Sequence, residues 1–158
     1  MAYSRSNVRG FTLVELVVTM VLIGILAAVA IPRMFDATAF RSRGFYDEVV
    51  NAARYGQKLA VASGCSVELS IISGTGTDGS FALNQQIDSC TSGAFTRKVL
   101  RPADSDFFEA SAPPGVALST TATPIIFDSL GRASGNFIVT VGDLNFTIAA
   151  ESGYVGGL

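Results

Sequence analysis

Residues 9–32 read Arg9-Gly10-Phe11-Thr12-Leu13-Val14-Glu15-Leu16 followed by VVTMVLIGILAAVAIP, ending at Pro32. Between Phe11 and Ile31 only Thr12, Glu15, Thr19 and Gly24 are not apolar. As a helix this run would be about 32 Å long at about 1.5 Å per residue, against a hydrocarbon core of about 30 Å. It is long enough to span a bilayer. Ahead of it, residues 1–10 carry Arg5 and Arg9 and no acidic residue. The positive-inside rule puts that end in the cytoplasm and the remainder of the chain on the far side.

Three readings of the run compete. Ala28-Val29-Ala30 supplies an A-x-A pattern for a cleavable secretory signal, but Glu15 lies inside the apolar region and Pro32 follows the supposed cut. A plain single-pass anchor explains the length and leaves Glu15 as an unexplained cost of about 2.5–3.5 kcal/mol near a helix centre, less near its end. The third reading uses Arg9-Gly10-Phe11-Thr12-Leu13-Val14-Glu15-Leu16 together with Ala30-Ile31-Pro32. This pattern resembles the class III signal of type IV prepilins and type II secretion pseudopilins. The resemblance implies a cut between Gly10 and Phe11 by a membrane aspartic prepilin peptidase, and N-methylation of the new Phe11 amine. Glu15 then becomes the fifth residue of the mature chain and Pro32 the twenty-second, as is usual in that family.

The residue types have a physical reason. A carboxylate in an apolar helix is costly unless paired, and cleavage creates an amine close by. In the family the Glu is thought to meet the amine of a neighbouring subunit. A mis-registered neighbour would then leave a charge unpaired, so Glu15 sets register during subunit assembly. The same run serves as membrane anchor before assembly and as filament core afterwards. Gly24, Ala27, Ala28 and Ala30 permit close helix approach, and are equally ordinary transmembrane composition.

Beyond Met34 the pattern turns amphipathic, with Phe45, Val49, Ala52, Gly56 and Leu59 on one helix face. One helix is expected from Phe11 to about Ser63, roughly 80 Å long, kinked at Pro32 and stopped by Gly64. Arg41, Arg43, Asp47, Glu48, Arg54 and Lys58 fall on its exposed face. Period two follows, with Cys65, Val67, Leu69 and Ile71 alternating against Ser66, Glu68 and Ser70, the pattern of a strand with one buried face. The glycine-rich stretch Ser73 to Ser80 ends it, and lacks the Gly-Lys-Ser/Thr of a phosphate loop.

Further strands are expected at Phe95–Leu100, Ile125–Phe127, Asn136–Val141 and Asn145–Ala150, with the last three as antiparallel hairpins. The fold class is α+β: a pilin-like fold whose long N-terminal helix, transmembrane in its first half, packs on a C-terminal antiparallel β-sheet domain. The expected divisions are 1–10 prepilin leader, 11–32 membrane and filament-core half of the helix, and 33–158 periplasmic domain. Two Cys in a translocated domain fit one disulfide, Cys65 to Cys90, with two free thiols as the alternative.

Composition narrows the function. The chain has 158 residues, 49% hydrophobic, with His 0, Trp 0 and a net charge of -2. Without His there is no Ser-His-Asp or Cys-His pair and no His-ligated iron or zinc. No enzyme constellation, metal site or cofactor is expected. Eleven basic against thirteen acidic residues give no surplus for phosphate neutralisation, so no nucleic-acid partner is expected. The mean hydropathy of +0.43 traces to the amino-terminal run.

Within the family, Val49–Ile71 and Ile126-Phe127-Asp128-Ser129-Leu130-Gly131-Arg132 resemble H-type (GspH/FimT-like) minor subunits. Cys65 after the helix-ending Gly64 is similar to the C-type minor pilin of mannose-sensitive haemagglutinin pili. Major type IVa pilins usually close their disulfide near the carboxyl end, which Cys65 and Cys90 do not. The resemblance implies a minor pilin or pseudopilin that helps start or cap a filament. Its partners would be the prepilin peptidase, other pilin or pseudopilin subunits, the inner-membrane assembly platform and the lipid bilayer. The alternative is a DNA-capturing minor pilin of a competence system, although residues 151–158 hold no Arg or Lys.

Overall fold

Two amphipathic periods dictate the elements, 3.6 residues up to Ser63 and two thereafter. The computed structural model describes residues 11–34, 37–86, 90 and 93–157. The chain divides into two compact units, Met1–Asp36 and Ala37–Leu158. The first holds helix α1, Leu13–Met34. The second holds α2, Ala37–Ser63, and the strands β1 Val67–Ile72, β2 Gly74–Thr75, β3 Ser80–Gln86, β4 Phe95–Lys98 and β5 Glu109–Ser111. It continues with β6 Ala117–Thr120, β7 Ile125–Phe127, β8 Phe137–Val141, β9 Leu144–Ile148 and β10 Val155–Gly157.

One helix from Phe11 to about Ser63 was expected; the helical residues run from Leu13 to Met34 and from Ala37 to Ser63, and residues 35–36 between them lie outside the described residues. Helix α1 passes through Pro32 and ends at Met34. Pro32 thus falls in the last turn, where its ring nitrogen has no hydrogen to give the ladder. Among the described residues no helix is long and apolar enough to cross a membrane. The side chains of α1 are described as far as Ala28.

Helix α2 buries Phe45, Val49, Val50, Ala52, Ala53, Gly56 and Ala60. Four of the five expected face residues are among them; Leu59 is half-buried and Ala60 takes the inward place. Small residues let the helix lie close to the sheet: a Cβ on Gly56 would come within 2.8 Å of Leu83 Cδ1. Gly64, at φ 67°, ends the helix in the left-handed conformation glycine accepts best.

The strands form two five-stranded antiparallel sheets, where one was expected. The first has the order β4-β3-β1-β7 with β5 also on β3, the second β10-β9-β8-β6-β2. Val67, Leu69 and Ile71 point inward from β1, as their alternation predicted. They join Phe81, Leu83, Leu118, Ile125, Phe127, Val139, Phe146 and Ile148 in the core beneath α2.

The expected hairpin of Ile125–Phe127 with Asn136–Val141 is corrected. Strand β7 pairs with β1 in the first sheet, while β8 pairs with β6 and β9 in the second. Residues 128–136 cross between the sheets rather than forming a tight turn. The hairpin of β8 and β9 is as expected, turning at Gly142 and Asp143. Strands β2, β3, β5, β6 and β10 were not foreseen. In β3 the inward set is Phe81, Leu83 and the polar Gln85, so its apolar alternation stops short.

Two polar contacts and one ring stacking tie the periphery to α2. Arg101, in the loop between β4 and β5, reaches Glu48 at 3.0 Å, which takes Glu48 off the solvated face it was assigned to. Tyr55 stacks on Phe108 at 4.8 Å. The Gln57 amide donates to the Gly131 carbonyl at 3.3 Å and the Ser152 carbonyl at 2.8 Å, joining one loop from each sheet.

Gly153 sits at this seam at φ 60°, and a Cβ there would collide with the Gly131 carbonyl oxygen. Gly153→Ala should therefore destabilise the chain by about 2–4 kcal/mol in urea unfolding. Gly44→Ala, in helix α2 with open space around it, should instead stabilise by up to about 1 kcal/mol.

Candidate functional site

Phe11 and Thr12 precede the first turn of α1 without being helical. The Glu15 backbone N–H donates to Thr12 Oγ1 at 3.2 Å, and the Leu16 N–H to the Thr12 carbonyl at 3.2 Å. Thr12 is therefore the N-cap and Glu15 the third helical residue, where a carboxylate also complements the positive end of the helix dipole. The spacing Thr-x-x-Glu is that of a capping box. Sequence reading named Glu15 for its charge and missed Thr12, although this spacing was visible.

From Leu13 to Leu26 the large apolar side chains of α1 are 48–81% exposed on every side of the helix. A helix apolar all round is stable only when buried in protein or lipid. Full burial stabilises each such side chain by about 1.5–3 kcal/mol, so covering this half-exposed set is worth on the order of 10 kcal/mol. Glu15 is the one charged residue within it and is itself exposed. Phe11 is 73% exposed just ahead of the cap. Gly10, on the other side of the expected cut, lies outside the described residues. Pro32 is at the far end of the same helix.

Cys65 and Cys90 are joined in a disulfide. It belongs to the second unit, so the expected residues form two groups, Phe11, Glu15 and Pro32 in one and the cysteines in the other. The bond links the residue after Gly64 to the segment following β3. Beside it, Ser63 Oγ donates to the Leu59 carbonyl and accepts from Gln85 Nε2 at 3.0 Å, and Arg97 donates to Gln85 Oε1. This network satisfies Gln85, the buried polar side chain among the described residues.

The Asp128–Arg132 segment, singled out by its resemblance, is a closed turn. Asp128 Oδ1 accepts from the backbone of Leu130 at 2.9 Å and of Arg132 at 2.8 Å, and Oδ2 meets the Arg132 guanidinium at 2.8 Å. Gly131, at φ 80°, lies against Val61 of α2. The motif holds a crossover loop on the helix. The cleft beside Arg101, about 480 Å³, opens widely to solvent between α2 and the loop from Pro102 to Phe108. Among the described residues no three His, Cys, Asp or Glu side chains gather as a metal-binding group.

Comparison with known proteins bears on the first group of residues. A model of the prokaryotic N-terminal methylation motif matches residues 5–31. The amino-terminal segment thus carries the prokaryotic N-terminal methylation motif, with Phe11 and Glu15 inside the matched residues. The type IV narrow pilus major component PilA5 of Thermus thermophilus is 40% identical over 52 residues. That match covers 33% of this chain and 45% of the relative, so the chain spans under half the length of the curated relative it matches. Two crystal structures of the Pseudomonas aeruginosa type IV minor pilin FimU are similar over 71% of this chain. They give TM-scores of 0.49 and 0.48 at 9% and 10% identity, over 84% and 88% of the FimU chains.

Two carboxylates give opposite pH signatures. At Asp128 burial pushes the pKa up, but the Arg132 N–H, the Arg132 guanidinium and the Leu130 N–H outweigh it and hold the carboxyl below its ordinary value. Its stabilisation is present above the unfolded pKa of about 3.9 and is lost as pH falls through the folded value. At Glu68 burial raises the pKa, only partly offset by the Asn84 side chain, so its contribution is present at low pH and lost as pH rises through the folded value. Thermal melts should show Asp128→Asn less stable than wild type at about pH 7 and equal to it at about pH 2. Glu68→Gln should be more stable at about pH 7 and equal at about pH 3.

Proposed function

We propose that the chain is a minor pilin or pseudopilin, a structural subunit of a type IV pilus or a type II secretion pseudopilus that acts in filament initiation or tip assembly. The observation that carries this reading is Glu15, the single charge in the first turn of an exposed apolar helix, within a segment matching the methylation motif. Such a helix needs either lipid or other helices around it, and a subunit that leaves a bilayer for a filament meets both in turn.

In this reading residues 1–10 are a leader cut between Gly10 and Phe11 by the prepilin peptidase, and the new Phe11 amine is methylated. Residues 11–32 anchor the precursor in the inner membrane as a single pass and later form the filament core. Residues 33–158 form the periplasmic domain. Glu15 selects register by pairing with the amine of a neighbouring subunit, and the assembly platform of the inner membrane receives the chain. Pro32 bends the helix where it leaves the bilayer.

The minor rather than main-subunit assignment is supported by the disulfide. It closes at the helix end, between Cys65 and Cys90, and not near the carboxyl end. The Asp128–Arg132 turn supports the H-type (GspH/FimT-like) subgroup by resemblance. PilA5 is named a major component, which makes copy number the discriminating quantity. In sheared filaments this chain should be scarce beside the main subunit; a chain dominating the filament would contradict the minor assignment.

Mass spectrometry of the mature chain should find Phe11 at the amino terminus with one added methyl group. An intact leader, or a start at Ile31, would contradict the prepilin reading. A deletion scored in parallel for surface pili, exoprotein secretion and transformation should abolish one or more of these, and which one falls identifies the machine.

A further inference from the structure

Tyr154 is 66% exposed, yet its ring holds a defined place. A Cβ on Gly156 would collide with Tyr154 Cε1 and come within 3.1 Å of its Cζ, so the ring crosses the position where a side chain at 156 would stand. Glycine in the edge strand β10 is what lets it approach that closely. The Tyr154 N–H donates to Ser152 Oγ at 3.2 Å and the Tyr154 carbonyl accepts from the Ala149 N–H at 3.0 Å, which pins the segment carrying the ring. The ring is thus laid along β10 with most of its surface open to solvent.

From Tyr154 a row of outward-facing positions crosses the second sheet. Gly156 stands opposite Thr147, and Thr147 opposite Ile138. Ile138 donates its N–H to Thr121 Oγ1 at 3.1 Å and accepts from the Thr121 N–H at 3.1 Å. At about 4.8 Å per strand the row is roughly 14 Å long. A cleft of about 400 Å³ opens along it, lined in part by Thr121, Asn136, Ile138, Thr147 and Ala149. No charge lines it, whereas charges of both signs line the clefts beside Arg43 and Arg101. Asn136 Oδ1 accepts from the Ala150 N–H at 2.8 Å, and among the described residues the Asn136 amide nitrogen has no partner.

We propose that this row binds a neutral oligosaccharide, with the Tyr154 ring as the stacking platform and Asn136, Thr121 and Thr147 as the hydrogen-bonding edge. A sugar ring is amphipathic in the matching sense. One face presents C–H groups that suit the electron-rich face of an aromatic ring, and the rim presents hydroxyls that both donate and accept. A charged ligand would find no counter-charge in this lining, and an apolar one would cut the Asn136 amide and the threonine hydroxyls off from water. The ring and its backbone supports are in place before a ligand arrives, so little freedom is lost on binding. The site lies on the second unit and goes beyond the function proposed above, which rests on the first.

The experiment titrates the full chain, in micelles of a phosphocholine detergent without sugar headgroups, with cellotetraose, maltotetraose and mannotetraose while amide NMR shifts are followed. At least one of them should bind saturably with a dissociation constant on the order of 1 mM, with the shifts centred on Thr121, Ile138, Thr147 and Gly156. Tyr154→Phe keeps the ring and should bind within about two-fold of wild type, whereas Tyr154→Ala should weaken binding at least about five-fold. Ile138→Glu, an outward-facing change that brings a charge into the uncharged lining, should weaken it as much, with amides away from the row keeping their wild-type positions. Absence of saturable binding by all of the sugars up to about 20 mM would overturn the proposal. So would binding whose shifts lie off the row, or Tyr154→Ala and Ile138→Glu variants that bind as wild type does. Shifts on the row that grow with protein concentration alone would make it a contact between copies of the chain, and would overturn the saccharide assignment too.

Discussion

One carboxylate in an apolar helix constrains the first unit of the chain. The side chains around Glu15 have no affinity for water, and Glu15 has none for hydrocarbon or a dry helix bundle. Neither a soluble helix nor a featureless anchor satisfies both demands. They are met together when the apolar surface is covered by lipid or by other helices and a cation is brought to the carboxylate. Among the described residues Glu15 meets its demands only in part, through the Thr12 cap and the positive end of the helix, since its backbone and not its carboxylate is engaged there. In the function proposed above, the amine of a neighbouring subunit meets the remaining demand, and a local feature becomes a statement about assembly.

The second unit is organised by a different constraint. Helix α2 has a narrow inward face of small residues, Ala52, Ala53, Gly56 and Ala60, so it sits close against the strands beneath it. Two sheets share that helix, and polar contacts from α2 reach loops of both. Glu48 holds the Arg101 loop, while Gln57 joins the loop after β7 to the loop before β10. Ser63, Gln85, Arg97 and the disulfide close the helix end. The unit is therefore anchored along the full length of α2 and does not depend on any one tie.

Legibility in the sequence followed the strength of period. The apolar run, the α2 face and the strand around Val67, Leu69 and Ile71 carry long, clean repeats and were readable, as were the turns at Gly64, Gly131 and Gly142. Strand β3 was not, because Gln85 occupies an inward place that only the Ser63 hydroxyl and Arg97 make tolerable, and those partners are distant in sequence. Strands β6 and β10 bury one side chain each, Leu118 and Val155, too few to register as a pattern. The partner of β7 was misjudged for a related reason: proximity in sequence favoured β8, while the Asp128 turn carries the chain across to the other sheet. At the amino terminus Glu15 stood out by charge, and Thr12 went unread because a threonine before a helix looks like composition until its hydrogen bond is seen.

The demand for an external cation at Glu15 is tested most directly by following Glu15→Ala through assembly. Alkaline extraction should leave the variant in the membrane fraction as wild type is, since losing a charge does not weaken an apolar anchor. Immunoblots of sheared filaments, or of the assembled pseudopilus, should show its incorporation reduced by at least an order of magnitude, as expected when a low-dielectric charge pair of about 1.5–3 kcal/mol no longer selects register. Glu15→Ala entering filaments at the wild-type level would contradict the account.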